Sequence, residues 1–401
     1  MDYLLPLALS RAGASSLEDF QRARGLPVTG QADRATAEAL SPYLLGYLQV
    51  RLVKGDTFWG LSQKYNTSPE AIAAANPRLD PRRLQIGTLV TVPLPFDVVP
   101  TDIPMTSRLC SLCLQGLTAR YPEMTLRTLT TTAYGRKVER LHFGRGQRKV
   151  IYTAAHHANE WITATLLLAF TENLFKAALQ NDSIGGFSAR RLLQVASVDL
   201  IPMVNPDGVD LVTGAIQPGQ PQYENARTLA EFYPSIPFPS GWKANLLGVD
   251  LNLNYPAQWE EARRIKYSQG FTRPGPRDFV GEAPLDQKEA RALYDLTRQV
   301  DPAMVLAYHS QGEVIYWQFA DYEVPGARAL AERFSQLSGY ALEDTPYASS
   351  FAGYKDWFIQ QFRRPGYTIE VGRGESPLPL SQFPKIYRDN VGILAQGMAG
   401  L

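Results

Sequence analysis

The chain of 401 residues is long enough for roughly two or three domains, and 45% hydrophobic residues suffice for a sizeable buried core. Its 40 basic and 39 acidic side chains leave a net charge of +1, so no nucleic-acid partner is expected. No apolar run approaches the roughly 18 residues that span a bilayer, so no transmembrane segment is expected. Asp2 stands where a secretory signal peptide carries positive charge, so no signal peptide is recognised.

Residues 1–45 contain two short helical patterns that are separated by a GLPVTG turn. A sparse pattern runs through them, made of Phe20, Gln21, Gly25, Leu26, Gly30, Asp33 and Thr36. This pattern resembles the helical peptidoglycan-binding repeat. The resemblance implies a small wall-binding module at this end of the chain.

Residues 46–95 read as strand, helix, helix, strand. Thr57 and Ser68 are expected to cap the two helices, and Pro69 suits a first helical turn. Aromatic side chains Trp59 and Tyr65 are expected to fill a small core.

Three motifs in this segment occur in a fixed order: GDTFW, NTSPEAIAAANP and LQIG. Together they resemble the LysM family. The resemblance implies binding to glycans that contain N-acetylglucosamine, such as peptidoglycan, through exposed backbone between the helices and strands.

Repeated prolines in residues 96–104 predict an extended, semi-rigid spacer before the third part of the chain. Just beyond it, Cys110 and Cys113 lie on a helical pattern. A zinc site of this kind needs a second ligand pair, and the chain has no other cysteine. We therefore interpret them as two helix thiols, with a disulfide or redox role as the alternative.

Residues 105–401 alternate strand-like runs (KVIYTAA, VDLIPMV, AMVLAYH, GYTIEV) with helical ones. Nearly unbroken apolar strands between helices predict an α/β domain whose sheet is covered on both faces. In such sheets, ligands collect where strands end in loops.

Three of these strands run into polar residues. The first is followed by His157 and Glu160, the third ends at His309, and the fourth ends at Glu370. Two histidines and one carboxylate are a common ligand set of catalytic zinc, with a fourth position left open. His142 is a less natural ligand, because it lies in a turn-like stretch.

Five motifs, HHANEWIT, VNPDG, GVDLNLN, YHSQG and TIEVG, occur in the order and spacing of the zinc carboxypeptidase family, which residues 105–401 resemble. The resemblance implies a mixed sheet covered by helices and one Zn²⁺ per catalytic domain. It implies His157, Glu160 and His309 as metal ligands and Glu370 as general base. Asp250 matches the aspartate that orients the first histidine, while His156 precedes the motif and is expected to be structural or to support the ligands.

Two departures from the family pattern bear on the substrate. Family members read N-R-N where this chain has Asn252, Leu253 and Asn254, so the arginine that grips a free C-terminal carboxylate is missing. The resemblance still implies Asn252 as a substrate-binding residue. Lys243 stands in for the arginine that stabilises the oxyanion, which keeps the charge but loses the bidentate fork. Tyr347 lies one residue from the position of the family's substrate-covering tyrosine.

Lys355 falls at the base of the family's specificity pocket, where a cation favours an acidic substrate side chain. The alternative is a solvated surface lysine. Arg373, in the loop after Glu370, is the next candidate cation.

These features resemble the γ-D-glutamyl-meso-diaminopimelate peptidases, zinc enzymes that hydrolyse stem peptides of peptidoglycan and are associated with sporulation or recycling. Glycan strands and stem peptides are the partners implied, and a cell-wall or spore location fits them. A conventional metallocarboxypeptidase and a noncatalytic wall-binding protein are the alternatives. The sequence leaves the compartment and the oligomeric state open.

Overall fold

The computed structural model describes residues 2–401, with side chains from residue 3 onward. These residues divide into two compact units. The first consists of the residues up to Pro100 together with Ser111–Thr125, and the second of Thr101–Cys110 together with Leu126–Leu401.

Within residues 2–401 the strands lie in three sheets, two of them with only two strands. In chain order the strands are β1 (Tyr47–Arg51), β2 (Leu89–Pro93), β3 (Thr125–Thr131), β4 (Lys137–Gly144), β5 (Arg148–Ala154), β6 (Ser183–Ile184), β7 (Phe187–Ser188), β8 (Ala196–Ile201), β9 (Met304–His309), β10 (Val314–Tyr316), β11 (Ala341–Glu343) and β12 (Gly366–Glu370).

The helices alternate with these strands through most of the second unit. In chain order they are α1 (Leu5–Ala12), α2 (Leu17–Ala23), α3 (Arg34–Leu45), α4 (Phe58–Tyr65), α5 (Pro69–Ala75), α6 (Ser107–Arg120), α7 (Ile162–Gln180), α8 (Ala189–Val195), α9 (Pro206–Val212), α10 (Pro221–Ala230), α11 (Trp259–Ser268), α12 (Lys288–Val300), α13 (Ala327–Ser338), α14 (Tyr354–Phe362) and α15 (Phe383–Ala399). Short 3₁₀ turns occur at Asp2–Leu4, Ala158–Glu160, Leu251–Leu253, Tyr347–Ser349 and Leu380–Gln382.

The helical module is organised around one buried amide. Gln21 is fully buried on α2, where its amide nitrogen donates to Thr29 and Thr36 and its carbonyl oxygen accepts from the Gly30 backbone. Asp33 caps α3 by accepting from the Thr36 N–H at 2.8 Å. These residues of the sparse sequence pattern therefore fix the turn between α2 and α3, because every buried polar group needs a partner. The sequence did not predict α1.

The next module has the predicted strand, helix, helix, strand order. Strands β1 and β2 pair antiparallel, and Thr57 and Ser68 cap α4 and α5 by accepting backbone N–H groups. The prediction for the aromatic core was half right. Tyr65 packs against the core, but Trp59 is 67% exposed, because it lies on the solvent side of α4.

The proline-rich segment is not a solvated spacer. Residues 96–104 form no helix or strand, as the prolines predict, yet Val98 and Val99 are buried. Val98 lies in the first unit, where its carbonyl is 3.5 Å from the sulfur of Cys113 on α6. Apolar side chains between the prolines thus hold this stretch against the fold, a contribution that proline content alone does not reveal.

The C-terminal half of α6 packs closely within the first unit. Gly116 has no room for a side chain, since a Cβ there would lie 2.2 Å from the carbonyl oxygen of Leu45. Arg120 donates to the carbonyl oxygens of Gly46 and Leu94. Both predicted helix thiols, Cys110 and Cys113, are on α6 and are buried.

The second unit contains the predicted mixed sheet, which is confirmed. Its eight strands lie in the order β11-β10-β12-β9-β5-β8-β4-β3. Four neighbouring strands, β12, β9, β5 and β8, run parallel, while β10 and β4 pair antiparallel on either side of them. The four parallel strands correspond to the four apolar runs of the sequence. They contain no proline, and most of their side chains are buried, as expected for central strands of a sheet that is covered on both faces.

One helix forms a longer apolar stretch than the sequence analysis predicted. The helical stretch Ala158–Gln180 is long and apolar enough to cross a membrane, judged by length and composition alone. In the structure, 72% of its most apolar part is buried. Such burial is typical of a core helix, and α7 lies against α15 and β5 of the second unit. Hydrophobicity here is explained by packing.

Glu289, in the first turn of α12, provides a pH-dependent contribution to stability. It is only 3% exposed, and burial raises its pKa to about 7. The folded chain therefore retains a proton that the unfolded chain, with a pKa near 4.5, releases. Consequently the free energy of unfolding should fall as pH rises from about 4.5 to about 7 and then level off.

We expect Glu289→Gln to raise the free energy of unfolding at pH 8 by roughly 1–3 kcal/mol and to change it little at pH 4. Urea denaturation at both pH values measures this. Asp295→Asn, at an exposed position of α12, is the charge-matched control. Equal shifts in the two variants would show that burial of Glu289 is not the cause.

Candidate metal centre and active site

The register of three parallel strands brings the polar strand ends together. Glu370 of β12 pairs with His309 of β9, and Ala154 of β5 pairs with Tyr308 of β9. Because the carboxyl ends of parallel strands meet at one edge of a sheet, the residues that follow Ala154 emerge beside His309. The sequence motif around His157 therefore lies next to His309 and Glu370.

The one-turn 3₁₀ helix Ala158–Glu160 places two further groups on the same side. His157 stands at its N-terminal boundary and Glu160 at its end, a separation of three residues that eclipses side chains in 3₁₀ geometry. The Nδ1 atom of His157 lies 2.9 Å from Oε1 of Glu160. The Ala158 N–H donates to the Lys243 carbonyl at 3.0 Å, which anchors the turn.

His157, Glu160 and His309 form a cluster whose ligand atoms lie within 4.8 Å of one another. The Nδ1 atom of His309 is 3.0 Å from Oε2 of Glu160 and 3.2 Å from Nδ1 of His157. Two ligand atoms at about 2.0–2.1 Å from a tetrahedral zinc ion are about 3.3 Å apart, so this spacing suits zinc. The donor atoms of both imidazoles and the carboxylate lie close enough together to bind one ion, and the donor set fits zinc.

Asp250 holds His157 in a fixed orientation. Its Oδ1 lies 3.2 Å from Nε2 of His157, which leaves Nδ1 for the cluster. Burial disfavours the charged His157 ring, but Glu160 and Asp250 outweigh burial and raise the pKa of His157 to about 9. Burial opposes ionisation of Asp250 as well, and the neighbouring His157 overrides it and lowers the pKa of Asp250.

The other two histidines lie outside the cluster. His156 is fully buried, its Nε2 is 3.3 Å from the Tyr255 hydroxyl, and its ring stacks on His309 at 5.6 Å between centroids. Burial lowers the pKa of His156 well below its usual value, which suits a neutral packing residue. His142 pairs instead with Asp199, its Nδ1 lying 2.9 Å from Oδ1.

Lys243 and Glu370 lie beside the cluster. The ammonium of Lys243 is 2.9 Å from Oε1 of Glu160, so a positive charge lies next to the ligand atoms. Burial opposes that charge, but Glu160 outweighs burial and raises the pKa of Lys243. Burial, and then the negative charge of Glu160, raise the pKa of Glu370 to about 8.

A cavity of about 220 Å³ opens over these groups. Four cationic side chains and four carboxylates contribute to its wall, so it offers partners to both charged ends of a peptide. The lining residues are His157, Lys243, Asp250, Asn252, Leu253, Lys266, Arg277, Asp278, His309, Tyr316, Thr345, Pro346, Ser349, Gly353, Lys355, Asp356, Thr368 and Glu370.

Asn252 and Lys355, both predicted to bind substrate, are in this wall. The side-chain oxygen of Asn252 accepts from the Tyr354 N–H at 3.1 Å, which ties it to the start of α14. Lys355 is 4% exposed, so it is not a solvated surface lysine. Its ammonium donates to the Gln318 carbonyl at 2.7 Å and lies 2.7 Å from Oδ1 of Asp356, an ion pair without hydrogen-bond geometry.

The structure does not bring Tyr347 or Arg373 to the cavity wall. Tyr347 is 63% exposed and its hydroxyl bonds to Glu261. Arg373 lies 2.7 Å from Glu313 and its side chain is mostly exposed. Neither the approximate family match of Tyr347 nor the loop position of Arg373 predicted where these side chains lie, because each one turns to a nearby carboxylate.

Sequence reasoning missed three charged cavity residues, Lys266, Arg277 and Asp278. Lys266 lies in the last turn of α11, and the other two lie in the loop FTRPGPRD, which has no periodic pattern. The available signal was an adjacent arginine and aspartate in a rigid proline-glycine loop, since binding residues often lie in such loops.

Comparison with known proteins agrees with this architecture. The sequence pattern of zinc carboxypeptidases matches residues 112–392, or more than half of the chain. The chain belongs to the zinc carboxypeptidase family. Patterns of a LysM domain and of a peptidoglycan binding domain match residues 50–93 and 14–40 of this zinc carboxypeptidase.

Two relatives match most of the chain. Gamma-D-glutamyl-L-diamino acid endopeptidase 1 of Lysinibacillus sphaericus is 42% identical over 285 residues, which cover 71% of this zinc carboxypeptidase and 70% of the relative. An uncharacterized protein, YqgT, of Bacillus subtilis (strain 168) is 37% identical over 276 residues, which cover 68% of this zinc carboxypeptidase and 72% of the relative.

The fold is also that of solved carboxypeptidase-like structures. Bovine thrombin-activatable fibrinolysis inhibitor, in complex with tick carboxypeptidase inhibitor, aligns with a TM-score of 0.57 at 15% identity, over 75% of this chain and 97% of that one. This zinc carboxypeptidase is a metallopeptidase with peptidoglycan-binding modules, an arrangement consistent with hydrolysis of cell-wall peptides.

We expect Glu160→Gln and His309→Gln to lose most bound zinc after dialysis against a chelator, because each variant removes one of three ligands. His142→Gln is the matched control, since this histidine lies outside the cluster, and it should keep wild-type zinc. Elemental analysis of the purified chains, with circular dichroism to verify folding, measures the outcome. Retention of zinc by both ligand variants would place the metal elsewhere.

Proposed function

We propose that the protein hydrolyses the γ-D-glutamyl-meso-diaminopimelate bond in stem peptides of bacterial peptidoglycan. The observation that carries the proposal is a zinc-ligand cluster at a cavity with four cations in its wall, on a chain 42% identical to an endopeptidase named for a γ-D-glutamyl-L-diamino acid bond. Stem peptides of this type carry several carboxylates, for which cationic side chains in the wall are suitable partners.

The architecture is compatible with cleavage of a bond inside a peptide as well as of a bond at its C-terminal end. Leu253 lines the cavity and is 8% exposed, at the position where the family's N-R-N pattern has its carboxylate-binding arginine. A leucine offers no donor to a free C-terminal carboxylate, so a substrate that continues beyond the scissile bond meets no selective penalty there.

In the proposed mechanism, His157, Glu160 and His309 hold the zinc ion, and Asp250 fixes the His157 ring. Zinc supplies a Lewis acid that polarises the scissile carbonyl and activates water. The ionised form of Glu370 accepts a proton from the attacking water as the new C–O bond forms, and it delivers that proton to the amine nitrogen as the C–N bond breaks. Lys243 lies where its ammonium can stabilise negative charge on the carbonyl oxygen.

The N-terminal modules are proposed to bind the glycan strands of the same polymer. Both match families of wall-binding domains, at residues 14–40 and 50–93. Binding of the polymer by these modules raises the local concentration of stem peptides without changing the chemical step. This division assigns attachment to the modules and hydrolysis to the zinc site.

We expect wild-type enzyme to cleave a defined muropeptide between D-glutamate and diaminopimelate, and Glu370→Gln to lower kcat by about 10²–10⁴-fold while keeping its zinc. Mass spectrometry of the products identifies the bond, and elemental analysis the metal content. Release of a single C-terminal residue, and only from peptides with a free terminal carboxylate, would indicate a conventional carboxypeptidase. Full activity of the variant would remove Glu370 from the mechanism.

Lys355 is proposed to favour diaminopimelate over lysine in the stem, because only diaminopimelate has a distal carboxylate. We expect Lys355→Met to lower kcat/KM on diaminopimelate stems roughly tenfold or more and on lysine stems much less. Arg373→Met is the control, because Arg373 is an exposed cation close in sequence to Glu370. This variant should leave kcat/KM unchanged on both kinds of stem peptide. Equal losses on both stems would mean that Lys355 acts by supporting Asp356 and Gln318.

A further inference from the structure

The loop that carries Arg277 is anchored beside the reactive groups. The backbone N–H groups of Lys243 and Ala244 both donate to the Pro276 carbonyl, at 2.7 and 2.9 Å. The Asp278 N–H donates to Oδ2 of Asp250 at 3.2 Å. Arg277, between these two anchors, is therefore fixed next to Lys243 and lines the cavity.

Neighbouring side chains hold this loop in one conformation. A Cβ at Gly275 would lie 2.2 Å from the ring of Tyr233, so the loop packs against that ring without space for a side chain. The Tyr233 hydroxyl donates to the Arg273 carbonyl at 2.8 Å. A rigid support of this kind preorganises a binding group and lowers the entropy lost on binding.

Arg277 belongs to a trio of charges that is not neutral. Asp278 pairs with Lys266 through Oδ1 and with Arg277 through Oδ2, each at 2.6 Å. Two cations thus share one carboxylate, so the trio carries one net positive charge. The other two wall cations each have an anion of their own, since Lys355 pairs with Asp356 and Lys243 with Glu160.

The guanidinium of Arg277 also keeps donors available. Its Nε is held by Asp278, and within residues 2–401 its two terminal nitrogens make no hydrogen bond. Its side chain is 41% exposed, in contrast to the buried side chain of Lys266. Two parallel N–H donors on one guanidinium match the two oxygens of a carboxylate.

We propose that Arg277 binds the free α-carboxylate of the D-glutamyl residue on the acyl side of the scissile bond. The inference rests on the proposed function. A γ-linked glutamyl residue keeps its α-carboxylate, separated from the scissile carbonyl by an α-carbon and two methylene groups. With that carbonyl at Lys243, the carboxylate reaches the adjacent loop, where the surplus positive charge lies.

The test compares two otherwise identical synthetic stem peptides, one with the free α-carboxylate of D-glutamate and one with the corresponding α-carboxamide. The carboxamide has the same shape but no charge, so it isolates the contribution of the ion pair. We expect wild-type enzyme to favour the free carboxylate by roughly tenfold in kcat/KM. A larger ratio is expected only for fully buried pairs, and Arg277 is partly exposed.

Arg277→Met should lower kcat/KM on the free carboxylate and leave the carboxamide almost unchanged, so the ratio should approach one. Folding should persist, because Asp278 still pairs with Lys266 in this variant. Arg277→Lys keeps the charge without the fork and should retain part of the preference. Zinc content and thermal unfolding of each variant establish that the metal site and the fold are intact.

Three results would overturn the inference. The wild-type enzyme could cleave both peptides equally well, Arg277→Met could keep the wild-type preference, or it could lose activity equally on both peptides. In each of these cases the bond is still cleaved and the proposed function stands. If the wild-type enzyme released no diaminopimelyl product from either peptide, the proposed function itself would fail and the inference with it.

Discussion

The hydrogen-bonded register of β5, β9 and β12 is the constraint on which the site depends. It pairs Glu370 with His309 and places the turn after Ala154 beside them. Successive side chains of a strand point to opposite faces, so a slip of one residue would send Glu370 or His309 to the other side of the sheet. The buried apolar faces of these strands prevent such a slip, and core packing thereby determines the geometry of the reactive groups.

Around this edge, charge compensation is local and incomplete. Glu160 is buried between two imidazoles and the ammonium of Lys243, and Asp250 is buried beside His157. Burying so many charges is costly unless each has partners, and removing any one leaves another uncompensated. The cluster is therefore a cooperative unit, whereas the outer wall, with its surplus cation at Arg277, is available to a ligand.

Sequence patterns predicted the regular parts of this protein well and the irregular parts less well. Four apolar runs became the four parallel strands, because continuous burial imposes a continuous hydrophobic pattern. The residues predicted as zinc ligands lie together because they directly follow those strands. Lys266, Arg277 and Asp278 escaped notice, since a loop position is set by tertiary contacts such as those of Pro276. Trp59 and Val98 show the same limit, as their exposure depends on packing that composition does not encode.

Helix α6 has a consequence for how such multidomain chains diversify. Its residues up to Cys110 fall in the second unit, while Ser111–Thr125 fall in the first unit, where Gly116 and Arg120 pack on Leu45 and Gly46. A crossover in the gene at the proline-rich segment would separate this half-helix from its packing partners. Exchange of the N-terminal modules between related genes therefore requires matching residues on this half-helix, so the two chain segments of the first unit are constrained to evolve together.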